Sequence, residues 1–514
     1  MTDGLPAHMQ PSEHDDGHLP KAGEVTGEGA ESMVPPLAKH FSGRQAARGA
    51  LWTLIGYGLV QVIRFGSSIV ITRLILPYSY GVMAMVWSVM MGISLFSDLG
   101  IGANIVQSKR GEEPAFRNTA WTFQILRGLV ITLVAWFIAP LVAAIYPKYL
   151  GLGGFIQGIA VSAFILGLGS MSIHILRRNM SVERLVILEV SAQILATTMT
   201  VIWACYDPTP WAMVAGAIVS TSTTTIASHI FFGGDRLGWD RPSVAELFKF
   251  GKWVFISTAL MFLAGQADRL IFGCLIPPEL LGVYGVALMV ARIIPELAAK
   301  LVGSVAYPIL CRTSQLGQPI EPVFVRCSRP IFLLGGWALA GLCGGGDAAV
   351  SFLYSAEYAG AGWILQLIAA GAWFGSVLKG SRSSALIAMG LPRLASYTSL
   401  AKLIGMVVLI PAGFHLADFP GAVVGYVLSD SLLYLAAAWA CRSVGLGALG
   451  VDVRFSLWFG VTSLASWGAA HFMSSWGYAP WLQCVAVFVV DSLLWVPLLL
   501  PLWREVKALF AREA

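Results

Sequence analysis

The sequence has few charged residues, and this scarcity excludes several classes of protein. Only 12% of its 514 residues are charged, whereas 57% are hydrophobic. A soluble chain carries roughly twice that charged fraction, so too little polar surface is available for a soluble enzyme, a disordered protein or a nucleic-acid-binding protein. The formal net charge of +5 does not change this conclusion. The composition predicts a polytopic membrane protein.

Clustered cysteines and enzyme motifs are also lacking. The seven cysteines occur singly in apolar or juxtamembrane sequence, without the close pairs of zinc and redox sites. We interpret them as packing residues. We find no phosphate-binding loop, no HExxH sequence and no nucleophile elbow. The sequence therefore predicts a protein that is not an enzyme and uses neither a metal nor a cofactor.

The first 46 residues differ from the rest of the chain. They contain acidic residues, proline and glycine but no sustained apolar run, which predicts a disordered cytoplasmic tail. The tail has donor atoms for a metal, but a solvated disordered segment is the favoured interpretation; these donors are His8, His14, His18, Asp15 and Asp16. The first apolar run starts near Ala50 and is long enough to remain as a membrane span instead of a cleaved signal.

Apolar runs of about 20 residues or more predict about 14 transmembrane helices. Helices are expected because backbone amides in lipid must be bonded within the segment. The fold class is an all-α polytopic membrane protein, with two pseudosymmetric six-helix lobes at 47–235 and 236–445 and two additional helices within 446–514. The predicted spans are 50–76, 81–106, 118–146, 154–175, 185–205, 210–232, 249–276, 280–310, 330–354, 361–389, 394–414, 420–441, 454–473 and 481–503.

The basic residues of the connections alternate between the two sides of the membrane. About two dozen lie on one side, and only Arg73 and Lys148 lie on the other. The richer side includes Arg117, Lys379 and Arg382. Basic loops stay in the cytoplasm, so the alternation predicts that both termini are cytoplasmic.

An internal repeat relates the two lobes. With a constant shift of about 200 residues, the segment at 74–86 lies over the segment at 275–287, and both contain a Pro-x-x-x-Gly turn. An even number of helices gives both lobes the same orientation, as in carriers that work by alternating access. Chance similarity between apolar segments is the alternative explanation.

Charges inside the predicted spans are the main functional signal, because each costs at least about 2.5 kcal/mol at the bilayer centre unless it is paired or hydrated. Arg64 shares a helical face with Gln61 and Ser68, and Arg127 follows Gln124 by less than one turn. Neither arginine has a carboxylate in its own span. We expect both to line a basic cavity.

The second lobe carries charges of both signs. Asp268 and Arg269 are adjacent, and Arg292, Glu296 and Lys300 follow at four-residue intervals on one helical face. Such spacing fits an internally neutralised salt-bridge ladder, and it also fits a cavity wall in which Arg269 and Arg292 bind an anion. Asp268, Glu296, Lys300 and Asp430 are the predicted ion-coupling or salt-bridge residues.

Several segments resemble one family of exporters. The stretch from Gly49 to Arg64, Thr72–Pro77, Gly81–Ala84 and Phe96–Gln107 are similar to the opening helices of Wzx-type bacterial polysaccharide-repeat flippases. These belong to the MOP (multidrug, oligosaccharidyl-lipid, polysaccharide) superfamily. Phe250–Trp253, Asp268–Arg269 and Gly282–Gly285 resemble the second half of the same proteins, so the similarity extends over most of 45–445.

The resemblance implies a carrier in the bacterial inner membrane, and we expect a monomer by default. Its substrate would be an oligosaccharide repeat unit linked to undecaprenyl diphosphate, moved to the periplasmic leaflet with the help of an ion gradient and in association with a polymerase. The diphosphate would bind the arginines. Export of drugs or of a lipid-linked peptidoglycan precursor is the first alternative. A membrane-embedded glycan polymerase is the second, but no predicted outer loop exceeds about ten residues.

Overall fold

The computed structural model describes residues 43–96, 101–108, 110–178 and 182–513. Tail residues 1–42, with their histidines, and Asp98 lie outside the described residues. The chain divides into Met1–Arg48 and a unit formed by Gly49–Ala514, and only the second is considered below. Helices make up nearly all of the described backbone, and no strand occurs in it. The all-α fold class is therefore confirmed.

The helices follow the apolar runs of the sequence closely. In chain order they are α1 (Gly43–Leu74), α2 (Pro77–Phe96), α3 (Ile101–Gln107), α4 (Pro114–Ile145), α5 (Leu152–Gly167), α6 (Ser172–Arg178), α7 (Val182–Tyr206), α8 (Pro210–Phe232), α9 (Arg241–Leu275), α10 (Pro278–Leu301), α11 (Tyr307–Gln315), α12 (Ile320–Leu353), α13 (Ala361–Ala372), α14 (Lys379–Ala388), α15 (Pro392–Ser443), α16 (Leu449–Ser475) and α17 (Pro480–Glu513). Single π-helical turns at Val302–Ala306 and Trp373–Leu378 join α10 to α11 and α13 to α14.

Every predicted span overlaps a helix, but several ends differ. Eight helices in the described part of the chain are long and apolar enough to cross a membrane; the count of about 14 spans stays a prediction. Residues 97–100 lie outside the described residues, so the end of the second span at residue 106 stays a prediction. The span predicted to reach residue 175 ends at Gly167. Beyond that end, the Ser170 hydroxyl bonds to the Gly233 carbonyl and the Asp235 carboxylate and attaches this segment to the α8–α9 connection.

The repeated Pro-x-x-x-Gly turns pack directly against each other. α2 and α10 meet with backbone contact, because a Cβ on Gly81 would overlap the Pro278 carbonyl and a Cβ on Gly282 would overlap the Pro77 carbonyl. Only glycine permits so close an approach of two helices. A large buried cluster that includes Val82 and Tyr284 continues from this contact.

The connection between α8 and α9 is held by side chains of the first lobe. The Arg117 guanidinium lies 2.6 Å from the Asp235 carboxylate, whose other oxygen accepts the Met171 N–H at 2.7 Å. Thr122 and Asn118 accept the N–H groups of Gly238 and Arg236. Thus Arg117, counted among the loop cations of the sequence, fixes the linker in place.

An ion pair attaches α16 to α14. Arg382 Nε donates to Asp452 Oδ2 at 2.7 Å, and Arg382 Nη2 lies 2.6 Å from the same oxygen in an ion pair. The Tyr434 hydroxyl donates to that oxygen at 2.8 Å. Both charged side chains are at most 1% exposed. Counting Arg382 with the loop cations was therefore wrong: its carboxylate partner lies 70 residues away in sequence and α14 presents it to the interior.

Candidate functional site

The principal cavity lies between helices of both predicted lobes and has a volume of about 710 Å³. α1, α2, α5, α7 and α8 contribute to its wall from one side, and α9 and α10 contribute from the other. Its surface is mostly apolar, with hydroxyl and amide groups. Among the described lining residues only Arg64 and Arg269 are charged, so the cavity is cationic.

Arg64 is held by neutral groups, which leaves its charge uncompensated by any carboxylate in the cavity wall. Its Nε donates to Gln193 Oε1 at 3.3 Å. Ser67 and Ser68 lie beside it in the wall. The Ser68 hydroxyl is 3.1 Å from the Tyr354 hydroxyl, which belongs to the other predicted lobe. The predicted face of α1 thus reaches the cavity through Arg64 and Ser68.

Gln61 was predicted on the same face but makes a different contact. Its Nε2 donates to Glu296 Oε2 at 2.9 Å, joining α1 to α10. It is not among the residues that line the cavity. Glu296 therefore has a polar partner outside its own helix, whereas the ladder with Lys300 stays a prediction.

Arg269 enters the cavity from α9 and is oriented by a short chain of polar groups. Its Nη1 donates to Gln266 Oε1 at 3.0 Å, and the Ser88 hydroxyl donates to the same oxygen at 3.2 Å. Arg269 Nε is buried and has no hydrogen-bond partner among the described residues. An unsatisfied guanidinium donor beside a cavity is suited to an anionic ligand.

Arg127 lines a second cavity of about 340 Å³ that adjoins the first. The two cavities share Ser94, Ala163 and Leu166 in their walls. Arg127 Nη2 donates to the Ser94 carbonyl at 3.0 Å. Gln124, which also lines this cavity, donates to the Gly169 carbonyl at 3.2 Å and braces the end of α5. The structure therefore places three of the four predicted arginines in the walls of two adjoining cavities.

Arg292 lies elsewhere, within a network of charged and phenolic groups. It interacts electrostatically with Asp268, Tyr284 and Glu296 and is not among the lining residues of either cavity. Asp268 is 1% exposed and accepts the Tyr284 hydroxyl at 2.7 Å. Although Asp268 and Arg269 are neighbours in sequence, one points into packing and the other into the cavity. Substrate contact by Arg292 remains a prediction.

Asp430 has a partner that the sequence reading missed. The Lys402 ammonium lies 2.6 Å from its carboxylate and 5.2 Å from the centre of the Tyr426 ring. Both belong to α15, on opposite sides of a sharp turn at Ala417 and Asp418. Lys402 is a charge inside an apolar run, so the rule that selected Asp430 also identifies it.

Residues of the second predicted lobe contact α1 and α2 beside Tyr80, which lines the cavity. The Tyr358 hydroxyl donates to the Ile75 carbonyl at 2.9 Å, and its ring meets the Tyr80 ring edge-on at 5.8 Å. Ser355 donates to the Thr72 carbonyl at 3.2 Å. We call these contacts, together with those of Gly81 and Gly282, the closed end, because the two predicted lobes touch each other here. Sequence patterns do not single out these tyrosines, because they are ordinary residues in an apolar context.

Known proteins share both sequence and fold with this chain. A family model described as "Polysaccharide biosynthesis protein" matches residues 70–363. The lipopolysaccharide biosynthesis protein WzxC of Escherichia coli K12 is 20% identical to this chain. The aligned region covers 59% of this chain and 61% of the length of WzxC. The teichuronic acid biosynthesis protein TuaB of Bacillus subtilis 168 is 22% identical over 69% of this chain and 73% of its own length.

Two solved structures have the same arrangement of helices. The lipid II flippase MurJ in an inward closed conformation matches 89% of this chain and 99% of its own, with a TM-score of 0.67 and 12% identity. An inward-facing multidrug resistance MATE transporter of the MOP superfamily matches 75% of this chain and 94% of its own, with a TM-score of 0.56 and 13% identity. These likenesses establish the fold of a multi-pass membrane protein.

Proposed function

The chain belongs to the polysaccharide biosynthesis protein family, and from this premise we propose that it flips lipid-linked oligosaccharide repeat units across the bacterial inner membrane. The resemblance of its sequence to Wzx-type members of the MOP superfamily is confirmed by the family match and by WzxC. We propose undecaprenyl diphosphate as the lipid carrier. In this function the protein is a transporter and catalyses no covalent chemistry.

The observation that carries the proposal is the cationic cavity. Arg64 and Arg269 face a volume of about 710 Å³ whose described wall has no carboxylate. Guanidinium groups form paired, charge-assisted hydrogen bonds with phosphate oxygens, and a low-dielectric wall strengthens them. A diphosphate attached to a sugar chain supplies the missing negative charge, whereas a cationic drug would be repelled. Arg127 extends the same positive surface into the adjoining cavity.

Transport requires that the cavity open alternately to each side. The positive-inside distribution of the loops supports a topology with both termini in the cytoplasm, which makes the closed end periplasmic. We take residues 47–235 and 236–445 as the two lobes that move relative to each other during transport. The contacts of Tyr354 and Tyr358 then join one lobe to the other. The lipid tail would remain in the bilayer while the head group crosses, and one monomer contains the whole cavity.

We assign ion coupling to the second lobe. Asp268, Glu296 and Asp430 are carboxylates linked to Tyr284, Gln61 and Lys402 respectively. Protonation of any of them would remove an attraction across helices, which is how an ion gradient biases two packing states. Arg292 and Lys300 are the neighbouring cations of this group.

The test uses cells that lack this protein and produce single variants from a plasmid at matched membrane abundance. Lipid-linked repeat units are assayed in inside-out and right-side-out vesicles. We expect Arg64→Ala, Arg127→Ala and Arg269→Ala to leave repeat units on the cytoplasmic leaflet, and Arg64→Lys to retain part of the transport, because charge persists without the planar fork. Arg73→Ala is the matched control, since Arg73 is an exposed α1 residue outside the cavity wall.

Each other outcome has a defined meaning. Normal export by the cavity variants would remove the proposed substrate site. Repeat units that reach the periplasmic leaflet but stay unpolymerised in the deletion strain would indicate a polymerase. Unchanged glycans in that strain would favour drug or peptidoglycan-precursor export.

A further inference from the structure

A second amphipathic cavity lies away from the transport cavity. It has a volume of about 720 Å³ and is formed by the first part of α12, the start of α16 and Leu498 of α17. We call it the α12–α16 groove. It shares no lining residue with the 710 Å³ or 340 Å³ cavities, and none of its three helices contributes to either. A ligand bound here would therefore be distinct from the transported substrate.

The groove presents positive charge without a partner. Arg329 and Arg454 line it, and neither has an ion pair or hydrogen bond within the described residues. One carboxylate, Glu321, also lines it, but its Oε1 accepts the Ala448 N–H at 2.7 Å. α16 begins here with Gly450 and Val451 in the wall and no side-chain cap at Ala448. A helix N-terminus adds free N–H donors and a partial positive charge.

A buried donor in the same groove also lacks an acceptor. Trp458 Nε1 is inaccessible to solvent and has no hydrogen-bond partner in the described structure. Because solvent does not reach this atom, Trp458 contributes its ring surface to the groove wall and its N–H is closed to a ligand in this structure. Two guanidinium groups and the start of α16 line the same cavity.

The remaining wall is apolar and continues onto a lipid-facing surface. Val325, Leu333, Leu449 and Phe455 line the groove. Beside Arg454, the α16 residues Val453 and Leu457 are 55% and 67% exposed, as expected for side chains that face acyl chains. A ligand with an anionic head and an apolar chain would contact both the arginines and the apolar wall of the groove. A soluble ion would contact only the arginines.

We propose that the α12–α16 groove holds one anionic phospholipid of the bilayer, with its phosphate at Arg329 and Arg454 and its chains along the apolar wall. The phosphate accepts from the two guanidinium groups, and the net charge of the groove selects an anionic over a zwitterionic head group. The bound lipid fills the space between α12 and the two C-terminal helices. This role is independent of the proposed transport function.

The experiment compares lipid retention by the full-length purified protein. The protein is delipidated in detergent, mixed with equal amounts of phosphatidylglycerol and phosphatidylcholine, and analysed by native mass spectrometry. We expect wild type to retain one phosphatidylglycerol with about tenfold preference, because a charge-assisted bond contributes about that factor. Arg329→Gln/Arg454→Gln should lose the preference and Arg329→Lys/Arg454→Lys should keep part of it.

The matched control is Arg326→Gln/Arg442→Gln, which removes two exposed arginines outside the groove. It should retain phosphatidylglycerol as wild type does. Equal loss in the control, or no preference in wild type, would overturn the proposal. Displacement by inorganic phosphate alone would show a soluble-anion site, and stronger retention of undecaprenyl diphosphate than of phosphatidylglycerol would show a substrate site; either result also overturns it.

Discussion

Replacing Gly81 by alanine tests whether the α2–α10 contact holds the cavity closed at one end. The added methyl group would overlap backbone atoms of Pro278 and approach the Gly282 nitrogen. Backbone atoms cannot rotate away, so we take the upper end of the usual cost of overpacking, about 3 kcal/mol. A change of that size alters a two-state ratio by more than about 100-fold. A protein closed 99 times in 100 would then be open about half of the time.

Distances between spin labels at Leu76 and Leu280 measure the opening, in a background whose seven cysteines are replaced by serine. Both positions are exposed and flank the contact. We expect Gly81→Ala to shift the distance distribution to longer values and to reduce repeat-unit transport. Gly282→Ala should act alike. The double variant should add little, because separating the helices relieves both overlaps at once.

Gly285→Ala is the matched control on α10, since a Cβ at Gly285 meets no other atom within 4 Å. It should leave the distances unchanged. A wild-type distribution and wild-type transport in Gly81→Ala would refute the reasoning, as would an equal shift in Gly285→Ala.

Three further predictions concern contacts outside the cavity. Arg382→Met should destabilise the folded protein by about 3–5 kcal/mol, because Asp452 is left buried without a counter-ion, and Arg382→Met/Asp452→Leu should recover most of that in a denaturation assay. Asp235→Ala should increase proteolysis of the α8–α9 linker without affecting that of other loops. Hydrogen bonding from Ser243 lowers the pKa of Asp240, so this α9 cap should persist at pH 5 and disappear only below the ordinary aspartate range, as measured by exchange of the Ser243 amide.

Much of the fold could be predicted from residue chemistry alone. Apolar runs place a helix wherever a span is expected, since backbone groups in lipid have no other partner. The repeat at Pro77 and Pro278 pointed to related segments, and the structure brings these two turns into contact. Arg64, Arg127 and Arg269 stand out as costly charges, and all three line adjoining cavities.

Other features could not be predicted because they depend on packing between distant segments. From the sequence, Arg382 is predicted to be a loop cation. In the fold, α16 places Asp452 beside it and the two residues form an ion pair. Asp268 and Arg269 are adjacent charges, so the sequence does not show which of them faces the cavity. The orientation of α9 about its axis buries Asp268 and turns Arg269 toward the cavity. Tyr358 carries no distinctive motif, and its bond to the Ile75 carbonyl spans 283 residues.

The sequence by itself determined that this protein lies in a membrane, is helical and carries positive charge within its spans. These properties follow from the free energy of transferring each residue from water to lipid, which depends little on the residues around it. Only the tertiary structure decided which charges face the cavity, which are neutralised and which end is closed. Those outcomes depend on contacts between groups on different helices. The transfer free energy of a single residue does not include such a contact.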